Sequence, residues 1–366
     1  MTQRCKAVRR IRRNKETDAM RSNTRRSVIA GAAAAGASLA FPAIVRAQRK
    51  IALKLSHYLP PTHGLHAEFM EPWARELEAR TQGDVSVQVS PGTSSLGQAQ
   101  SQLDQCRNGI VDVAFGLCGL PRGRMTRSTI VEMPFLVQTA QGGSRTLWNL
   151  RDKLLAEDYR GLQPLALMTH NGGLFHTRDR RIEKPDDLQG LRIRTPSPTV
   201  SKMLEALGAS PVGMPPGQAY ENLQRGALDG AAFPWDPVRA FKLSEVTKFH
   251  CDARAYTAAF WFAMNERTYR QLPADVRGVV DAISGDALIG KFQGWWDKWD
   301  AAGRQTAVDR GSTIVTLNAA QRSEWENRLV QAFNKTMIDF EKQGVKDARD
   351  IYVAMQREVV RHEKKA

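Results

Sequence analysis

The stretch "DLQGLRIRTPSPTVSKMLEALG", residues 187–208, decides the fold. Leu191 and Ile193 alternate with Arg192 and Arg194, the period of a short half-buried strand, and Thr195-Pro196 stops it. The helical pattern "TVSKMLEALG" follows at once. Strand and helix in direct succession are the grammar of an α/β sheet, and the same alternation extends both ways along the chain.

Toward the amino terminus, "KIALKLSHYLPP" (50–61) reads as a strand that runs out at Ser56-His57-Tyr58. Phe69, Trp73 and Leu77 recur every four residues and predict a helix that "TQGD" ends near Gly83, with a kink expected at Pro72. Strands are predicted at "VSVQV" (85–89), "IVDVAF" (110–115) and "PLALMTH" (164–170), with helices at "LGQAQSQLDQCRNG" (96–109) and "SRTLWNLRDKLLAEDYRG" (144–161). After Asn171-Gly172-Gly173 a second set begins, with strands at "LFHT" (174–177), "LRIR" and "GAAF" (230–233) and a helix at "AYENLQRG" (219–226). "YTAAFWFAMN" (256–265) is an apolar strand long enough to cross between the two units, and a helical pattern runs from about Ala274 to Arg310. Phe292, Trp295, Trp296 and Trp299 form a stripe on it that reads as a face packed on a sheet. A terminal amphipathic helix with Trp325, Leu329 and Phe333 on one face follows "TIVTLN" (313–318). A chain of 366 residues exceeds what one hydrophobic core usually organises. The boundaries expected are 48–170 with about 259–298 for domain I, 171–258 with about 299–345 for domain II, and 346–366 for a C-terminal helix.

The formal charge of +15 does not point to nucleic acid. Residues 1–47 hold 11 Lys and Arg against 2 acids, a net +9, and +15 less +9 leaves +6 for the rest, with no basic run to track a phosphate backbone. Within that amino-terminal excess, Arg25-Arg26 precedes a weakly apolar Ala/Gly run and a small-residue site at Val45-Arg46-Ala47. This reads as a twin-arginine signal peptide, residues 1–47, cleaved after Ala47 and directing the chain to the periplasm. The start codon is Met1 or Met20. Cys5 would leave with the signal, so Cys106, Cys118 and Cys251 remain, an odd number that permits at most one disulfide and is read as three buried thiols.

No Gly-x-Ser-x-Gly elbow, Walker loop, Gly-x-Gly-x-x-Gly or His-Glu-x-x-His occurs. His57, His63 and His66 cluster, but no Cys or carboxylate at ligand spacing completes a zinc set. Arg192 is expected in a solvated salt bridge. Arg194 differs because it closes its strand, and α/β sheets gather ligands outside the carboxyl ends of strands. A guanidinium there offers a planar fork to an anionic small molecule, the alternative being a structural ion pair.

Together, "LSHYLPPTHG", "PGTSSLGQAQSQLDQCRNGIVDVAF", an "EMPFLV" strand (132–137), "LQGLRIRTPSP" and "ENLQRGALDG" make the chain resemble the solute-binding proteins of tripartite ATP-independent periplasmic (TRAP) transporters, the DctP-like group. The resemblance implies a type II periplasmic-binding fold: two α/β domains with an interdomain ligand cleft, crossing hinge strands and a long helix spanning both. It implies no enzyme activity, no cofactor, a small organic acid as ligand and the membrane subunits of a TRAP transporter as partners. It implies that Arg194 receives the solute's carboxylate, within a wall of Ser56, His57, Tyr58, the loop 116–121, Phe233 and Trp235. Leu174 stands where sialic-acid-binding members carry a second arginine, and Phe233 lies near the site of their asparagine. A compact or aromatic monocarboxylate is therefore expected rather than a polyhydroxylated sugar acid. Two other classes remain open: a sensory binding subunit with the same site, and a carboxylate-processing enzyme with His57 or His176 as base.

Overall fold

The computed structural model describes residues 50–363; the signal reading of residues 1–47 and the choice between Met1 and Met20 lie outside them. Eleven strands are present: β1 (Ile51–Ser56), β2 (Val85–Ser90), β3 (Val113–Leu117), β4 (Leu162–Thr169), β5 (Gly173–Thr177), β6 (Arg192–Thr195), β7 (Ser210–Gly213), β8 (Gly230–Phe233), β9 (Phe249–Tyr256), β10 (Ala259–Asn265) and β11 (Thr313–Thr316). They form two mixed sheets, of order β2-β1-β3-β10-β4 and β11-β9-β5-β8-β6-β7. In the first, β1 runs parallel to β2 and β3, while β10 is antiparallel to β3 and β4. In the second, β6 lies parallel between β7 and β8, and β5 is antiparallel to β8 and β9.

The chain passes between the sheets at four points. β4 leads into β5 through residues 170–172, and β9 returns to β10 through Thr257-Ala258. The third passage is the helix Phe292–Asp309: its Phe292, Trp296 and Trp299 lie in the first sheet's core, while Ala307 packs with Leu174, Trp235 and Val238 on the second side. The aromatic stripe is thus a packed face. The helix Ala319–Lys342 divides in the same way, Trp325 and Leu329 entering the second core and Met337 and Phe340 the first. The final helix, Ala348–Glu363, contributes Ile351, Met355 and Val359 to the first core.

Several expected elements differ. The helical pattern from Ala274 to Arg310 is three helices, Ala274–Ala282, Asp286–Ile289 and Phe292–Asp309. The break falls where Gly285 adopts φ +57° and donates its N–H to Leu165 O of β4 at 2.7 Å, and a Cβ there would meet the Trp148 ring at 2.9 Å. Residues 132–137 are no strand: a short helical turn, Ser128–Glu132, precedes Pro134, and Phe135 has φ 56°. The polypeptide there bridges the sheets instead, Phe135 N donating to Ala255 O at 2.9 Å. Pro72 does not kink a helix but sits in the first turn of Glu71–Arg80, where its missing N–H costs nothing, after a wider π-turn at Leu65–Met70. The helix expected at 144–161 spans Ala140–Leu150, starting at Thr139, whose hydroxyl accepts from Gly142 N. The one at 96–109 contracts to the helical turns Ala99–Ser101 and Gln102–Arg107. The strand expected at 256–265 is shorter, because Tyr256 closes β9 and β10 begins only at Ala259. Cys106, Cys118 and Cys251 are free and buried.

Candidate functional site

β6 places Arg194 between β7 and β8, and each neighbour supplies a carbonyl for it. Its Nε donates to Met214 O, just beyond β7, and its Nη1 to Ala232 O of β8, both at 3.1 Å. The Phe233 ring lies under the guanidinium, 4.1 Å from centroid to Cζ. Arg194 is only 2% exposed, yet among the described residues it forms no ion pair. Burial pushes its pKa down to about 10, partly opposed by Tyr256 and Tyr58, so the side chain remains cationic at neutral pH.

This cation borders a cavity of about 420 Å³ between the two sheets. Tyr58, Leu117, His170, Phe260 and Trp296 line it from the first-sheet side; Pro196, Pro216, Phe233, Phe241 and Tyr256 line it from the other. Burial raises the hydroxyl pKa of Tyr58 and Tyr256, and Arg194 only partly offsets this, so both phenols stay neutral. His170 is neutral too: burial lowers its pKa to about 4, its Nε2 accepts from Ala258 N at 3.0 Å and its Nδ1 contacts Asn171 O. His63 faces the cavity while its Nε2 lies 2.9 Å from Asp236 Oδ2, both side chains buried, so that a first-side loop is tied to a second-side helix.

Tyr58, Arg194 and Phe233 of the sequence-derived set thus meet at one cavity. The other four do not line it. Ser56 Oγ donates to Leu96 O at 3.0 Å, inside the first half. His57 accepts from Leu59 N at 3.1 Å and reaches His66 Nδ1 at 2.9 Å, and burial followed by His66 lowers its pKa to about 3. It is a neutral brace for the turn. Leu174 is buried against Trp235, Val238 and Ala307. Trp235 turns away from Arg194 to pack against His176 and His250, with centroids at 5.6 and 5.3 Å. Those imidazoles share a 2.7 Å Nδ1–Nδ1 contact, His176 Nε2 meets Phe233 O at 3.1 Å, and burial lowers their pKa values to about 4 and about 2. Neither His57 nor His176 offers a base to the cavity. Of the loop 116–121, Leu117 lines the wall and Gly119 permits a close approach: a Cβ there would stand 2.6 Å from Ser197 Cβ. Among the described residues no cluster of His, Cys, Asp and Glu could hold a metal.

Sequence reasoning passed over His170 and Tyr256, although the rule applied to Arg194 reaches both. His170 directly follows β4, and Tyr256 is the last residue of β9. A larger depression, about 1300 Å³, lies on the outer side of the first half near Trp148, Arg151 and Asp286. It is open, and its charges are satisfied by neighbours: Arg151 pairs with Asp152 and stacks on Trp148, and Asp286 pairs with Arg145. The cavity between the sheets, with a buried cation that has no acidic partner among the described residues, is the candidate site.

The family model described as bacterial extracellular solute-binding protein, family 7 (DctP), matches residues 55–339. The chain is 27% identical over 322 residues to the Comamonas testosteroni outer membrane transporter protein TsaT, covering 86% of this chain and 94% of that protein. Among solved structures, a TRAP solute-binding protein from Rhodoferax ferrireducens T118 in complex with copurified benzoate is 32% identical. The match covers 86% of this chain and 99% of that one, with a TM-score of 0.81. A marine metagenome TRAP solute-binding protein specific for aromatic acid ligands, in complex with metahydroxyphenylacetate, is 29% identical over 85% and 99% of the two chains, with a TM-score of 0.82.

Proposed function

The chain belongs to the DctP family of bacterial extracellular solute-binding proteins, binding proteins rather than enzymes, and from that premise we propose that it captures a small monocarboxylate with an aromatic or compact body. It delivers this acid to the membrane subunits of a TRAP transporter.

The observation that carries the reading is the cation without a counter-ion. A charged guanidinium taken out of water is costly unless an anion meets it, and no described acidic side chain does so here. Among the described residues Arg194 is also the only Lys, Arg, Asp or Glu on the cavity wall. His63 is turned to Asp236 and His170 has both nitrogens engaged, so one positive charge calls for one carboxylate. A second carboxylate would sit uncompensated among Tyr58, Phe233, Tyr256, Phe260 and Trp296. A sugar acid would bring several hydroxyls against the same aromatic surface. The similarity to aromatic-acid binders supports the same choice.

Arg194 and Phe233 come from the second sheet, Phe260 from the first, and Tyr58 follows strand β1 of the first. A solute touching both sides therefore favours the closed arrangement over an open one. In this reading residues 50–170 with about 259–298 move as one body against 171–258 with about 299–345, the helix Ala348–Glu363 completing the fold, and the closed form is what the membrane subunits receive. The test is the acid released when the purified protein is denatured, read by mass spectrometry. An aromatic or compact monocarboxylate is expected; a dicarboxylate or a sugar acid would contradict the proposal.

A further inference from the structure

We infer that Tyr256 is the second ligand of the bound carboxylate, its hydroxyl donating to an oxygen that Arg194 leaves unsatisfied. This rests on the carboxylate reading of the cavity and adds a named donor to it.

The argument begins with a donor count. A guanidinium carries five N–H groups, and Arg194 commits one at Nε to Met214 O and one at Nη1 to Ala232 O. With Nε bound to backbone, the side-on fork of Nε and Nη2 is closed to a ligand, and a carboxylate must approach the Nη1 and Nη2 end. Its two oxygens have about four acceptor positions between them. The end-on fork fills one on each oxygen and leaves the others inside a cavity walled by aromatic rings. A buried acceptor left bare forfeits much of what the ion pair supplies.

Tyr256 is placed to fill that gap. It is 1% exposed, it lines the cavity, and its hydroxyl oxygen is buried with no hydrogen-bond partner among the described residues. A phenol in that condition is unusual unless something outside the chain completes it. The ring is fixed from several sides: edge-on to His170 at 5.6 Å, against Phe175 at 6.2 Å, and over Gly173, where a Cβ would strike the Tyr256 ring carbon Cζ at 2.4 Å. Arg194 and Tyr256 line the same cavity, and the Arg194 charge acts on the Tyr256 hydroxyl. Glu132 also acts on it, but its carboxylate is occupied: Oε1 accepts from Ala259 N at 2.9 Å and Oε2 from Ser197 Oγ. Trp296 Nε1 is another unpartnered donor on the wall, carried by a side chain that packs among Phe260, His170 and Trp299. Tyr256 also ends β9 at the crossing into β10, so a hydrogen bond from it to the ligand links carboxylate capture to a strand that passes between the sheets.

The test is titration calorimetry of benzoate with the wild type, Arg194→Gln and Tyr256→Phe, alongside the melting temperature of each protein without ligand. Losing one hydrogen bond to a charged group should weaken benzoate about ten- to hundredfold in Tyr256→Phe. Because the hydroxyl bonds to no described residue, the ligand-free melting temperature of that variant should match or exceed the wild type's. Benzoate affinity in Tyr256→Phe equal to wild type, with Arg194→Gln impaired, overturns the role of Tyr256 and leaves the carboxylate site standing. A lower ligand-free melting temperature with affinity preserved overturns it as well, assigning the phenol to structure. Arg194→Gln binding benzoate as the wild type does overturns the site itself.

Discussion

Arg192 and Arg194 stand two residues apart on the same face of one strand, and their surroundings are opposite. Arg192, at the start of β6, is half exposed and grips Asp229 with contacts at 2.7 and 2.9 Å, adding Gly226 O at 2.8 Å. Arg194, at the end of β6, is buried over Phe233 and has no acidic partner among the described residues. The strand supplies the same side chain to both; what differs is the position along it. Where β6 emerges toward solvent, Asp229 completes the pair. Where it runs into the space between the sheets, no described acid meets Arg194, and under the proposed function its counter-ion is the ligand's carboxylate.

The comparison breaks most visibly by truncation. Arg194→Ala should weaken carboxylate binding by on the order of 2–5 kcal/mol, tens to thousands of fold, and Arg194→Lys should also impair it because a point charge cannot form the fork. Arg192→Ala should leave affinity within about twofold, since exposed pairs contribute little. Parallel titrations of the three variants would show it, and equal losses at both arginines would dissolve the distinction.

Glu132 sharpens the contrast from the acidic side. It is as buried as Arg194 but pairs with Ser197 and the Ala259 N–H instead, and burial pushes its carboxyl up to about 8 against those hydrogen bonds. The folded chain thus keeps a proton that the unfolded chain releases above about pH 4.3. Its contribution is full below that value and is lost as pH rises toward 8. The buried histidines work the other way, their lowered pKa values removing stability as pH falls below about 6.5. Glu132→Gln isolates the acid, since the amide oxygen can still accept from Ala259 N while the titrating proton is removed. Its stability relative to wild type should grow by about 1–3 kcal/mol between pH 5 and pH 8. Melting curves across that range test the claim, and a difference that does not change with pH would refute it.

Phe233 tests what holds the unpaired cation in place. Phe233→Leu removes the ring beneath the guanidinium and should cost about 0.5–2 kcal/mol of ligand affinity, roughly two- to thirtyfold. The smallest effect belongs to Arg192's partner: Asp229→Asn should lower stability by no more than about 1 kcal/mol, measured by urea denaturation, with ligand affinity unchanged.

How far the sequence reaches is visible in the same residues. The alternation of Leu191, Arg192, Ile193 and Arg194 fixes the strand, and Thr195-Pro196 fixes its end, so the place of Arg194 followed from local pattern. The burial of the three cysteines also agrees with the reading. What failed was tertiary. The pattern from Ala274 to Arg310 is periodic throughout, and its first break comes from the docking of Gly285 on β4. Strand β9 went unread although Phe249, Cys251, Ala253 and Ala255 alternate with His250, Asp252 and Arg254, and with it went Tyr256. Ser56, His57, Leu174 and Trp235 are near the right strand ends, yet side chains two residues apart or on opposite faces meet different neighbours. Position along a strand is legible in the sequence; which neighbour takes up the side chain is set by the sheets once packed.

The central claim is that the buried guanidinium binds because its ligand carries the missing charge, and the direct measurement is the affinity of the wild-type protein for benzoate against benzamide, its neutral isostere. The two differ at the group facing Arg194 while offering the same ring to Tyr58 and Phe233. Benzoate should bind about a hundredfold or more tightly. Equal affinity for the two would mean that the cavity selects the ring alone and that the charge of Arg194 does not hold the ligand.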